Sequence, residues 1–129
     1  MFLHLGDLGD GVLDELAGLE CHIVFGNCDD ERSMDGYARA IGLHVHHPGG
    51  IVAVDGKRIG ITHGHLVVEI ERLILSKVDY IFHGHTHERA DSMVEGIRII
   101  NPGALHRARP LTVALLIPAT GEVESIVVA

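Results

Sequence analysis

Apolar residues at positions 12, 13, 16 and 19 recur at the spacing of one helical face, with Asp14 and Glu15 in the first turn, and predict a short helix over 12–19. Residues 21–25 form a brief apolar run that stops at Gly26-Asn27, the pattern of a buried strand ending in a turn. A second helix is predicted over 30–41, with Gly42 as its stop. The runs 51–54 and 57–62 flank Asp55-Gly56, a pair that readily takes the left-handed backbone of a tight hairpin turn. Leu66, Ile70, Leu73 and Ile74 share one face of a third helix over 66–76, which the strand 80–82 follows. Three more apolar strands are expected near 93–100, 111–117 and 123–128, separated by Asn-Pro-Gly at 101–103 and Ala-Thr-Gly at 119–121.

No apolar stretch is long enough for a membrane helix, and 129 residues that are 47% hydrophobic suit one domain, 1–129, with its own core. The opening residues lack the basic start, apolar block and cleavage site of a signal peptide. Cys21 and Cys28 fit neither a redox pair nor a thiolate zinc knuckle, and two cysteines are too few for a disulfide scaffold. The expectation is a reduced, cytoplasmic protein. A formal charge of −8 disfavours a broad grip on extended nucleic acid, although bound cations can still draw in a small phosphate substrate.

Four polar motifs share one context: His-Leu-Gly-Asp at 4–7, Phe-Gly-Asn-Cys-Asp-Asp at 25–30, Ile-Thr-His-Gly-His at 61–65 and His-Gly-His-Thr-His at 83–87. Each follows an apolar strand and contains glycine, which lets the backbone turn sharply near a ligand. Sites in α/β sheets gather at the carboxyl ends of strands, so four distant motifs can converge. His83, His85 and His87 alternate, and a continued strand would aim them to one side. Aspartate, asparagine and histidine donors without a thiolate suit manganese, iron or zinc in a working site.

The order Gly-Asp, Gly-Asn-Cys-Asp, His-Gly-His, Gly-His-Thr-His, Asn-Pro-Gly resembles that of the calcineurin-like metallophosphoesterases, in particular their small bacterial and archaeal phosphodiesterase branch. The resemblance covers essentially the whole chain. It implies a four-layer α-β-β-α sandwich of two mixed sheets, and hydrolysis of a small phosphodiester by a metal-activated hydroxide. It also implies divalent metals, with manganese first and nickel, zinc and iron as alternatives. By the same resemblance Asp7 bridges two ions, Asn27, His63 and His85 complete one site, and His87 belongs to the other. Cys28 stands where larger members often carry a histidine that protonates the leaving group; its alternative role is packing beneath the metals.

Family members normally begin with a strand ending in Asp-x-His, a segment this sequence does not contain. On the resemblance, one metal site is then depleted, the sandwich is truncated at its N-terminus, and an open sheet edge favours a homo-oligomer. The resemblance extends to the metallophosphoesterase-fold subunit of retromer, so a catalytically weak or inactive binding scaffold is the alternative, with a regulatory metal-binding subunit between the two. His65 and His83 are read as support for the site, and His4, His22 and His106 as unrelated to it. His44 and His46 read as a polar strand edge, or else a second metal site. Asp10, Asp29 and Asp30 read as cap or turn residues, and Asp29 alternatively as a residue that orients a ligand.

Overall fold

The computed structural model describes residues 1–9 and 11–129; Asp10, expected as a cap or turn residue, lies outside them. The elements in order are β1 (Phe2–His4), α1 (Val12–Leu16), β2 (Cys21–Ile23), α2 (Glu31–Ala40), β3 (His44–Val45), β4 (Gly49–Val54), β5 (Lys57–Thr62), α3 (Val67–Leu75), β6 (Tyr80–Phe82), β7 (Ala90–Val94), β8 (Ile97–Asn101), β9 (Thr112–Ile117) and β10 (Glu122–Val127). The predicted hairpin, the second and third helices and the strand at 80–82 are all present. The first helix is shorter than its apolar spacing predicts. It ends at Leu16 because the Ala17 N–H turns back to the Asp14 carbonyl and Gly18 enters the left-handed region at φ +81°.

Strands β1, β2 and β3 form a parallel three-stranded sheet in the order β1-β2-β3, and a mixed five-stranded sheet runs β4-β5-β6-β8-β7. Strand alternation then assigns the apolar side chains to layers. Along β6, Tyr80 and Phe82 face the core between the sheets, while Ile81 faces the layer containing Leu73 of α3. Along β2, Cys21 and Ile23 face α1 and α2, where Leu13 and Ala38 meet them; Val24, just beyond, faces the other sheet. Three buried clusters thus separate helix, sheet, sheet and helix, which is the α-β-β-α sandwich. Leu73 is fully buried in the outer cluster, and its truncation to alanine should cost about 2–5 kcal/mol.

Two details differ from the sequence expectation. Residues 93–100 are not one strand: β7 and β8 meet at a tight turn whose central residues, Glu95 and Gly96, both have positive φ, at 50° and 79°. That is the same backbone as Asp55-Gly56, but glutamate rarely takes it, and β7 is exposed throughout with no apolar alternation to announce it. The two expected mixed sheets are instead one parallel sheet, one mixed sheet and a separate antiparallel hairpin, β9–β10. The hairpin continues pairing with itself, Leu111 exchanging hydrogen bonds with Ala129 and Val128. It packs Leu116 and Val123 into the core between the sheets. Hydrogen bonds from Tyr80 Oη to the Pro118 carbonyl at 3.0 Å, and from Arg98 to the Gly121 carbonyl, fasten its turn to the five-stranded sheet.

Among the described residues no helix is long and apolar enough to cross a membrane.

Candidate functional site

The carboxyl ends of β1 and β2 lie side by side in the parallel sheet, so the loops that leave them touch. Asp7 takes the left-handed region at φ 56°, directly after Gly6 at φ 99°. A side chain on Gly6 would place its Cβ 2.6 Å from His63 Nδ1 and 2.7 Å from the Gly26 nitrogen; one on Gly26 would lie 2.1 Å from Asp7 Oδ1. Both glycines are therefore required by close approach of the two loops. The Cys28 N–H donates to Asp7 Oδ1 at 3.0 Å, which leaves Oδ2 facing the sheet opposite.

The imidazole half hangs from the five-stranded sheet. His63, 2% exposed, follows β5, and residues 83–87 form a loop after β6. The loop does not continue the strand: His85 and His87 are left-handed at φ 71° and 63°, so strand alternation is not what orients these rings. The loop is held from beneath by Asn101, which ends β8 and is 2% exposed. Its Nδ2 donates to the Gly84 carbonyl at 3.1 Å and to Thr86 Oγ1 at 3.0 Å, and its Oδ1 accepts from the Gly103 N–H at 3.0 Å. The Gly84 N–H in turn reaches the His63 carbonyl at 2.8 Å.

The halves meet at His63. Its Nδ1 lies 2.6 Å from the Leu5 carbonyl, which can only accept, so Nδ1 carries a proton and Nε2 is the nitrogen turned outward. Nε2 faces Asp7 Oδ2 at 3.3 Å, Asn27 Oδ1 at 3.0 Å and His85 Nδ1 at 3.3 Å; Asn27 Oδ1 is also 3.1 Å from His85 Nδ1. Two ring nitrogens, a carboxylate oxygen and an amide oxygen thus converge, and with His63 Nε2 unprotonated they form a set of lone pairs that a cation could join. The separations are those of neighbouring donors around an ion bonded at about 2.1 Å. Among the described residues no three His, Cys, Asp or Glu side chains form a metal-holding group by themselves; the convergence described here includes the amide oxygen of Asn27.

A family profile described as the calcineurin-like phosphoesterase superfamily domain matches residues 1–121. The chain belongs to this superfamily. Phosphodiesterase MJ0936 of Methanocaldococcus jannaschii is 34% identical over 107 residues, which are 78% of this chain and 64% of that protein; the chain spans less than two thirds of this relative. Among solved structures, an archaeal phosphodiesterase superposes with a TM-score of 0.83 at 28% identity, covering 98% of this chain and 81% of its own. The E. coli phosphoesterase YfcE gives 0.60 at 18% identity, with coverages of 98% and 83%. Vps29 from Entamoeba histolytica gives 0.54 at 20%, with coverages of 97% and 96%. The last two likenesses are of fold alone.

Of the residues expected at the site of this calcineurin-like chain, Asp7, Asn27, His63 and His85 come together. His87 shares the loop of His85 and is half-buried, and it makes no hydrogen bond or ring contact to those four. Cys28 is exposed and is not packed beneath the cluster, which corrects that alternative. His65, expected as support for the site, lies beside it, its ring 5.2 Å from that of His63 and 6.0 Å from that of His85, and among the described residues its buried Nδ1 has no hydrogen-bond partner. Burial and the two neighbouring rings hold its pKa below the ordinary value. His83 turns its Nδ1 to the Gly84 carbonyl at 3.2 Å, and burial also lowers its pKa. His44 and His46 lie away from this site, around His22: the His22 and His44 rings stack at 4.5 Å, and His22 Nδ1 is 2.8 Å from His46 Nε2. The sequence offers Asn-Pro-Gly as a strand break and as the last motif of the resemblance but assigns Asn101 no role, so it misses this residue as the clamp of the histidine loop.

Proposed function

We propose that the chain is a metal-dependent phosphodiesterase acting on small phosphodiesters, with Asp7, Asn27, His63 and His85 holding one divalent ion and Asp7 and His87 contributing to a second. The observation that supports this reading is the meeting of His63 Nε2 with Asp7 Oδ2 and Asn27 Oδ1, a nitrogen and two oxygens drawn from three separate loops that could share a cation. Oxygen and imidazole donors favour manganese, with nickel, zinc or iron as alternatives. When bound, such ions supply Lewis acidity, drawing charge from phosphate oxygens and making hydroxide available from water near neutral pH.

The protein's own contribution is orientation. Leu5 fixes the tautomer of His63, the Cys28 N–H fixes the rotation of the Asp7 carboxylate, and Asn101 fixes the loop that carries His85. In this reading Cys28, exposed at the rim, donates the proton to the leaving oxygen; a thiol does this less well than imidazole, so aryl diesters should turn over faster than alkyl ones. Two unbridged cysteines suit the reducing cytoplasm. Self-association through exposed apolar residues such as Phe2, Leu115 and Val127 belongs to the same reading, with light scattering as its check.

Chelator-treated protein should be inactive on a chromogenic aryl phosphodiester and regain turnover with manganese. Undiminished turnover after chelation would overturn metal dependence, and manganese binding without turnover would point to the scaffold.

A further inference from the structure

We infer that Asp29 is the positioning residue that aims the Asp7 carboxylate at His63, an inference that rests on the metal-dependent reading above. Residues 26–29 form a tight turn, the Asp29 N–H returning to the Gly26 carbonyl at 3.2 Å. From the end of that turn the Asp29 side chain folds back, and a single oxygen, Oδ2, accepts two backbone hydrogen bonds: from the Gly26 N–H at 2.7 Å and, across the loop boundary, from the Asp7 N–H at 2.8 Å. Two N–H groups on one carboxylate oxygen make a short, charge-assisted fork. It joins loops that are 22 residues apart in sequence.

The fork acts where the backbone is least free to choose. Asp7 occupies a left-handed conformation unfavourable for a residue with a side chain, and something must hold it there. Its Oδ1 is taken by the Cys28 N–H, the residue immediately before Asp29. Asp29 therefore grips the main chain of Asp7 while its own neighbour grips the side chain. With both held, Oδ2 of Asp7 has one direction left, toward Nε2 of His63. Asp29 itself does not reach the donor cluster; it acts through Asp7.

An asparagine at 29 keeps an oxygen that can accept both N–H groups and removes the charge, whereas alanine removes the fork. Amide hydrogen exchange on the metal-free, full-length chain reads this directly, with folding verified by circular dichroism. In Asp29→Ala the amides of Asp7 and Gly26 should lose protection, and so should that of Cys28, which Asp29 does not touch through its side chain. Manganese affinity should fall roughly 10–100-fold, the usual cost of losing a group that orients a ligand. Asp29→Asn should restore both readouts to near the wild-type values. The inference is overturned if the Cys28 amide stays protected in Asp29→Ala, or if Asp29→Asn fails as badly as alanine. A wild-type chain that binds no manganese would sink the metal reading alone, because the exchange pattern at Cys28 decides the role of Asp29 without any ion.

Discussion

The site has two halves built by opposite means. The histidine half rests on the five-stranded sheet, where β5, β6 and β8 are buried between layers and the loop of His85 is tied down by a fully buried amide, Asn101. The carboxylate half rests on β1 and β2, each three residues long, and is organised within its loops by glycine contacts and a half-buried carboxylate, Asp29. The loop of one half is held by a fully buried amide, whereas that of the other, although it leaves the largely buried strand β2, is held by a half-buried carboxylate and short polar contacts. Local opening follows the density of buried contacts, so the carboxylate half should be the first to loosen.

Removing one donor from each half tests whether both are needed, and should give the largest effect. Asp7→Ala and His85→Ala should each cut turnover of an aryl diester by roughly 100-fold or more in protein that stays folded by circular dichroism. Full activity in either variant would show that its half is dispensable. Metal binding sharpens the comparison across the cluster boundary: in a calorimetric manganese titration His63→Ala, which removes a donor itself, should weaken the tightest event by more than the roughly 10–100-fold that loss of an orienting residue costs, while His87→Ala leaves it in place. Equal losses from the two variants would place His87 in the same set as the four converging donors.

The clamp of the histidine half should register as stability. Asn101→Leu leaves the Gly103 N–H and the Gly84 carbonyl without their partner and should cost about 1–3 kcal/mol in urea unfolding. Asp29→Ala, acting in a surface loop, should cost less than this; the reverse order would break the contrast between the halves. The smallest effect is a pH dependence remote from the site. Burial first, then the neighbouring His44 ring, holds His22 and His46 below the ordinary imidazole value of about 6.5; Glu20 opposes this at His22, and Arg39 reinforces it at His46. The unfolded chain then binds more protons than the folded one between the two pKa values, so stability is fullest above about pH 6.5 and declines as the pH falls through that value toward the folded ones. Melting of metal-free protein between pH 7 and pH 5 should show this decline, and His46→Gln should make it shallower.

What was legible in the sequence followed from local rules. Glycine with polar residues after an apolar run marked the strand ends, and Asp55-Gly56 marked a turn. The same turn at Glu95-Gly96 escaped because its first residue is a poor left-handed former and its incoming strand, β7, buries nothing. The donors Asp7, Asn27, His63 and His85 were named through a resemblance, and their meeting depends on which strands are neighbours, a non-local fact. Asn-Pro-Gly was noticed as a strand break and as a motif, but the role of Asn101 was hidden, because only its burial and its partners reveal that its amide faces inward.

One consequence concerns how the site can drift over evolutionary time. The proton on His63 is placed by the Leu5 carbonyl, a main-chain atom present whatever residue occupies position 5. Point mutation has no side-chain partner there to delete, so selection need not guard the identity of residue 5 to preserve the tautomer. The burden shifts to the path of the chain through Gly6, where any side chain would collide with the ring itself. Sequence tolerance at this spot should therefore change abruptly between adjacent positions, permissive for apolar residues at 5 and closed at 6, and a saturation library read by metal binding would display that step.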